Sequence, residues 1–579
     1  MKSITAQLNQ AFHAAIKAAF GLEADPVIQV AQNDKFGDYQ ANAAMGLVKP
    51  VADKTGAKAN PRSIAERIKA ALDLGPMASE VTIAGPGFIN VRLAPAWLAE
   101  QLRGMGSDSR LGVDPVASPA NVIVDYSGPN IAKELHVGHL RSTILGDALA
   151  RLIAFQGHHV IRQNHLGDWG TQFGMLIANL LDKSANSQNI RLSDLEAFYV
   201  EAKKRFDSEP DFQNRARQTV VKLQGGDQST LAAWRTLVAK TREHYLPLYR
   251  RLGVLLTEAD ERGESFYNPM LAEVVSDLLA AGIAEESEGA IVVFIDGKDK
   301  VPLIIQKSGG GYLYGTTDLA AVRYRTTTLH PQRVIYLVDS RQSHHFSQVF
   351  AVAARAGWAP GVSLEHAPFG TMLGIDGRPF RSRAGGLFKL QDLLDQAQEQ
   401  AMAVVTSKNP DLPEAQRYEI AASVGVGGIK YFDMSRDRAS DYTFSFERML
   451  ALDGNTAPYL QYAYARTRSI LREGHNRGIV YAGAAATPIR LETPHELAIA
   501  KQILRLGDIV ELVARELKPH HLCTYLYDLA TRLSGFYENC PVLQSDPATR
   551  SSRLALVDLT GRTLALGLDL LGIEHPEKM

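Results

Sequence analysis

A compact apolar run, VIVDY (122–126), is followed by the loop SGPNIAKELHVG, a long helical pattern and a second apolar run, HVIRQNH (159–165). The helical pattern carries Leu140, Ile144, Ala148, Leu149 and Leu152 on one side. Strand, glycine-containing loop, helix and strand make a βαβ unit, the start of a parallel sheet, which places the chain in the α/β class. Strand-like runs return at AIVVFI (290–295), VPLIIQ (301–306) and RVIYLVD (333–339), separated by helical segments, and predict that the sheet resumes there. Residues 180–250, highly charged and helical in pattern, read as an insertion; from about 415 onward helical periodicity dominates.

With 579 residues the chain is too long for one core, and roughly four domain-sized units are expected. Residues 1–118 form a first unit, in which VTIAGPGFINVRL (81–93) reads as strand, turn, strand, and SDSRLGVDPVASPAN (107–121) as a linker. Residues 1–22 lack acids, as a targeting peptide would, but Ile4, Leu8, Phe12, Ile16 and Phe20 recur every four residues and favour an ordinary amphipathic helix. Two cysteines are too few for a disulfide framework or a four-thiolate metal site, and a reducing, cytosolic compartment fits best. No apolar stretch approaches the roughly 20 residues that span a bilayer. The net charge is −1, so any nucleic-acid partner must be gripped by local basic patches.

The loop after the first strand, Ser127 to His139, is the most informative segment. A helix that starts there concentrates N–H donors and the positive end of the helix dipole, which attract anions. His136 and His139, three apart, point to one side and can donate to phosphate oxygens, and Gly138 between them lets a ligand approach the backbone. Taken alone, H-x-G-H could equally be two histidines on a helix N-terminus or a metal pair, although no Cys or Asp/Glu cluster lies at useful spacing. The adjacent His344 and His345 lack metal geometry and read as site lining or structure.

Residues 136–139 resemble the HIGH motif of class I aminoacyl-tRNA synthetases, and SGPNIAKELHVGHLRSTILGD resembles the arginyl-tRNA synthetases in particular. Collinear matches follow at NHLGDWGTQFG (164–174), GES (263–265), YLYGTTDLAAVRYR (312–325), VDSRQSHHFSQ (338–348), MLGIDGRPFRSRAGG (372–386), DGNTAPYLQYAYAR (453–466) and the terminal LGIEHPEKM, so the resemblance spans the chain.

The resemblance implies a Rossmann-like parallel-sheet catalytic domain (119–415), an N-terminal α/β domain (1–118) that recognises the tRNA elbow, stem-contact or linker helices (416–452), and an all-helical anticodon-binding bundle (453–579). It implies an arginine–tRNA ligase: arginine's carboxylate attacks the α-phosphorus of ATP, releasing pyrophosphate, and the arginyl group then passes to the terminal adenosine of tRNA-Arg. Mg²⁺ is expected with ATP, held chiefly by phosphates and not by a dedicated protein site. A cytoplasmic monomer without membrane attachment is the family's default. The family often requires tRNA before activating arginine, and the same is expected here.

Carried over residue by residue, His136, Gly138, His139, Met372 and Leu373 are the expected ATP contacts. The lysine-rich KMSKS loop of the class is degenerate here, reading RPFRSRAGG (378–386), with Arg381 and Arg383 as its basic residues. In such enzymes a lysine just before HIGH compensates, and Lys133 occupies that place. The expected arginine pocket is Asp125, Asn130, Glu264, Tyr314, Asp318 and Gln342, with Asp318 and Glu264 facing the guanidinium. Asp125 stands where the family often has glutamate, and Asp318 could alternatively cap a helix. Gly167 to Gln172 are expected in the site wall. Expected tRNA contacts are Phe88 and Asn90 in the first domain and Tyr459, Tyr462, Arg466 and Met579 in the last, with 430–444 supporting the stem or linking domains. The rival readings are another class I amino-acid specificity, against which the GES and YLYGTTD acids speak, and a catalytically inactive tRNA-binding paralogue or scaffold.

Overall fold

Four short strands, Asn121–Asp125, His159–Gln163, Arg333–Tyr336 and Ser363–His366, run parallel in one sheet. The structure is a computed structural model and describes residues 2–56, 58–131, 133–185, 195–380 and 388–579. Asn121–Asp125 is central, with His159–Gln163 on one side and Arg333–Tyr336, then Ser363–His366, on the other. The chain therefore leaves the central strand toward one edge and later returns to its opposite side. Open α/β sheets bind ligands at such a reversal, outside the carboxyl ends of the strands. Val122, Ile123, Val124, Val334 and Ile335 are all buried, as strands covered on both faces must be.

Two runs expected to extend this sheet do not. Ala290–Val293 and Leu303–Gln306 pair antiparallel with each other, and Glu285–Ser287 completes a separate three-stranded sheet. The connection between them is too short for the crossover that parallel pairing needs. Leu303 and Ile305 point inward while Ile304 is exposed, the alternation of a one-sided sheet. Its edge steadies the following Tyr314–Thr328 helix, because the Thr316 hydroxyl donates to the Ile305 carbonyl.

The N-terminal unit is a four-stranded antiparallel sheet with helices, and the expected strands fall at Ala78–Ala84 and Phe88–Leu93. Its first helix, Ile4–Phe20, buries the predicted stripe of Ile4, Leu8, Phe12, Ile16 and Phe20. The insertion is helical where described, over Thr171–Ala185, Leu195–Ser208, Pro210–Gln224 and Gln228–Arg251. Beyond Glu414 the structure is almost entirely helical, ending in the Pro547–Leu570 helix. The N-terminal unit docks on this bundle: the Thr5 N–H donates to Asp508 at 3.1 Å, Lys501 pairs with Asp38 at 2.5 Å, and Arg562 donates to the carbonyls of Gly106 and Asp108. Among the described residues no helix is long and apolar enough to cross a membrane.

The helix after the HIGH-like segment, Val137–Phe155, is buried on nearly every side, between the sheet and the C-terminal helices. One charged joint ties it to the following helical segment, and a second joins that segment to its neighbours. Arg141 pairs with Asp433 at 2.9 Å, both fully buried, and Asp433 also accepts from the Tyr442 hydroxyl. Lys430, fully buried, donates to the carbonyls of Leu252 and Gly572. Segment 430–444 thus links the Val137–Phe155 helix, the end of the insertion and the last helix.

Candidate active site

At the end of the central strand the chain turns through Ser127 and Gly128, both in the left-handed region (φ 74° and 55°). For serine this conformation costs roughly 1–2 kcal/mol, and three hydroxyls hold it. The Ser127 N–H donates to the Ser142 hydroxyl at 2.9 Å, its own hydroxyl lies 2.5 Å from that of Tyr249, and Thr143 donates to it at 2.8 Å. Ser142 and Thr143 belong to the first turns of the Val137–Phe155 helix, so the turn fixes the helix N-terminus against the strand end.

His136 is the N-cap of that helix. Its Nδ1 accepts from the Gly138 N–H at 3.0 Å, and the Nδ1 of His139 accepts from the His136 N–H at 3.2 Å. With both Nδ1 atoms accepting, each imidazole carries its proton on Nε2. Burial, then the nearby Lys133, holds His136 below the usual histidine range; burial, then the His136 ring, pulls His139 down to about 3. At neutral pH both rings are therefore uncharged Nε2–H donors. Gly138 is required at closer range than expected: a side chain there would meet the His136 ring at 2.7 Å.

These rings open onto a cavity of about 480 Å³ at the sheet reversal. Asp125, Asn130, Glu264, Tyr314, Asp318 and Gln342, scattered over more than 200 positions of sequence, all line it together with His136, Gly138 and His139. Tyr314 opens the Tyr314–Thr328 helix and Asp318 follows one turn later, so Asp318 lies inside the helix and does not cap it. Glu264 opens a short helix held in place by Asp168, whose carboxylate accepts from the Ser265 N–H (2.9 Å) and hydroxyl (2.6 Å). A side chain at Gly263 would strike that carboxylate at 2.3 Å. Of the expected wall, Gly167 lines the cavity while Asp168 works from behind it. Burial, then Asp168 and Asp318, pushes the Glu264 carboxyl up to about 8.

Asp125 proves to be engaged from behind. Arg325, fully buried, pairs with it at 2.8 Å and donates to Gln163 at 2.6 Å. Arg325 lies on the same helical face as Asp318, seven residues on, and that spacing is the sequence signal by which it could have been found. His345 is the second supporting residue to which the sequence alone gives no definite role. Its Nε2 lies 2.6 Å from the Asp318 carboxylate. Phe369 and Arg341 also line the cavity.

Lys133 does not reach this cavity. Its ammonium lies 4.4 Å above the Tyr199 ring, in a neighbouring cavity of about 250 Å³ that shares Asn130, His136 and His139 with the first. Tyr199 belongs to the insertion. Met372 and Leu373 form a short strand paired with Tyr442–Thr443, and neither lines the large cavity; the Met372 side chain is buried. Arg381 and Arg383 lie outside the described residues.

The expected tRNA contacts divide. Asn90 sits within a strand and not in the turn; it is 2% exposed and accepts from Gln40 at 2.8 Å, so it is part of the domain interior and presents no surface to a nucleic acid. Phe88, at the start of that strand, is half-buried. Tyr462 is 50% exposed, Tyr459 packs half-buried on Tyr527, and the Arg466 guanidinium lies 4.1 Å over Tyr537. Met579 packs at the edge of the main core.

Residues 108–446 match the family described as tRNA synthetases class I (R), catalytic domain; residues 460–579 match the DALR anticodon binding domain, and residues 6–93 the arginyl tRNA synthetase N terminal domain. The chain is 50% identical to the arginine–tRNA ligase of Cellvibrio japonicus, with 99% of each covered, and 49% identical to that of Laribacter hongkongensis, with 100% of each covered. Among solved structures it is similar to arginyl-tRNA synthetase from Plasmodium falciparum (32% identity, TM-score 0.86) and to the Thermus thermophilus enzyme (27% identity, TM-score 0.84), with 100% of both chains covered in each pair.

Proposed function

The chain belongs to the arginyl-tRNA synthetases and is an arginine–tRNA ligase, and from that premise we propose how its residues divide the work. Arginine lies with its guanidinium between Glu264 and Asp318, under Tyr314. Its α-amino and carboxylate end meets Asn130, Gln342 and the outer oxygen of Asp125, whose inner side is satisfied by Arg325. The substrate ATP, with its Mg²⁺, places its phosphates on the His136 and His139 Nε2–H groups at the helix N-terminus. The arginine carboxylate then attacks the α-phosphorus in line, and the imidazoles donate to the oxygens on which charge develops. Because both rings are neutral, the protein's share of the compensating positive charge, beside that of the Mg²⁺ carried by ATP, comes from Lys133, which leaves Tyr199, and from the basic residues of 378–386.

The N-terminal domain, with Phe88, meets the tRNA elbow, segment 416–452 its stem, and Tyr459, Tyr462, Arg466 and Met579 the anticodon loop. We place the protein in the cytoplasm as a monomer; both cysteines are buried and free, in keeping with a reducing compartment. The observation that carries this reading is that two acidic side chains, Glu264 and Asp318, and two neutral imidazoles at a helix N-terminus share one cavity. Charging a total tRNA pool with one labelled amino acid at a time, with ATP and Mg²⁺, tests it. Arginine alone should be esterified; bound tRNA without charging would favour the inactive paralogue.

A further inference from the structure

Four carboxylates line the cavity, and they meet different environments: Asp339 is held by its neighbour Arg341 at 2.6 Å. Asp125 is paired with the fully buried Arg325, a permanent cation. Glu264 has the carboxylates of Asp168 and Asp318 as its charged neighbours. Asp318 alone is bonded to an imidazole: the Nε2 of His345 lies 2.6 Å from its Oδ2. The acceptor is a carboxylate, so the nitrogen donates, and His345 holds one oxygen of Asp318 without bringing in an arginine that would compete with the substrate for the other. The His345 ring is itself fixed. The Tyr314 ring covers it at 4.8 Å and Phe346 abuts its edge at 5.5 Å. Tyr314 is otherwise 65% exposed, so this ring contact is what sets its place over the pocket. His345 does not itself line the cavity, and it therefore acts through its two neighbours.

We propose that His345 is a positioning residue for arginine recognition: it anchors one oxygen of Asp318 and seats the Tyr314 ring, so that the free Asp318 oxygen meets the substrate guanidinium in a fixed direction. The inference rests on the assignment of Asp318 to the guanidinium. A carboxylate without this anchor can rotate about its last bond, and it faces Glu264 across the pocket with nothing to keep it aimed. The loss falls on arginine binding, because the donor touches neither the phosphates nor the reacting carboxylate.

Steady-state charging with the full-length enzyme, tRNA and ATP tests this. His345→Ala should raise the KM for arginine roughly tenfold or more, the worth of a hydrogen bond to a charged group. The kcat at saturating arginine should stay within about threefold, and the KM for ATP should not move. His345→Gln, whose amide nitrogen reaches the Nε2 position, should restore most of the loss, whereas His345→Asn, too short to do so, should behave as the alanine variant. In an Asp318→Asn background, His345→Ala should add little, because the two residues act as one unit. An unchanged arginine KM in His345→Ala, or an undiminished effect in the Asp318→Asn background, would overturn the proposal. Should His345→Ala fail to fold, the Gln and Asn variants decide: equal arginine KM values for the two would also overturn it. Asp318→Asn by itself leaving the arginine KM unchanged would instead remove the pocket assignment on which the proposal stands.

Discussion

The two ends of the cavity are built on opposite principles. The amino-acid end has its acids held in place before any ligand arrives: Asp318 anchored by His345, Asp125 backed by Arg325, Glu264 set by Asp168. The phosphate end has geometry but little charge. Its imidazoles are fixed by backbone N–H groups and neutral, and its nearest lysine rests on an aromatic ring of the insertion. A permanently charged phosphate end beside buried acids would collapse onto them as ion pairs. If the cations are delivered only when phosphate arrives, as we propose, both ends stay usable and the insertion takes part in ATP binding.

The largest expected effect lies at the charged end. Asp318→Asn should lower kcat/KM for arginine by roughly 100-fold or more, since removing one partner of a buried pair costs about 3–5 kcal/mol; unaltered arginine kinetics would erase the contrast between the ends. Next comes the delivered charge. Lys133→Ala should slow adenylate formation roughly 100-fold in ATP–pyrophosphate exchange with tRNA present while leaving the arginine KM near its original value, and a rate within a few-fold of the parent would show that the lysine never arrives.

A pH measurement sharpens the comparison further. Glu264, pushed up to about 8, holds a proton at neutral pH in the empty site, and a guanidinium favours the anion. Arginine binding below pH 8 should therefore release a proton, and affinity should strengthen as pH rises toward 8, by at most about tenfold per pH unit, then level off. Calorimetry at pH 7 in buffers of different ionisation heat reads the released proton directly; identical heats would contradict it, and Glu264→Gln should abolish the buffer dependence. The smallest effect is expected from Tyr199→Leu, which removes the resting place of Lys133 and should change the ATP KM by only about two- to fourfold. A change in the arginine KM instead would mean that the two ends are coupled through the insertion.

Much of this is legible in the chain. The strand, loop and helix at 122–155 declare the sheet, and the amphipathic stripe of the first helix is buried as its spacing implies. The pocket acids can be named because they stand in motifs, yet motifs are silent about what stands behind them. Arg325 and His345 support Asp125 and Asp318 across contacts that only the fold creates. The hairpin at 290–306 reads as part of the main sheet because a short apolar run has the same composition whether it pairs parallel or antiparallel; the length of its connection holds the answer. Asn90 misleads for a related reason, since a polar residue beside a turn reads as exposed until the strand register turns it inward. The neutral state of the two histidines comes from burial, which no local spacing encodes.

The Lys430 ammonium bears on how far such an enzyme can be pared down. One of its acceptors is the Leu252 carbonyl, at the end of the insertion, and the other is the Gly572 carbonyl, just past the last helix. A shortened chain ending before Gly572 would keep the buried cation and lose half of what solvates it. A minimal charging enzyme cut to residues 108–446 would begin life with a half-satisfied charge at its waist, so the helical bundle belongs to the casing of the catalytic domain as well as to the tRNA-reading surface we propose for it.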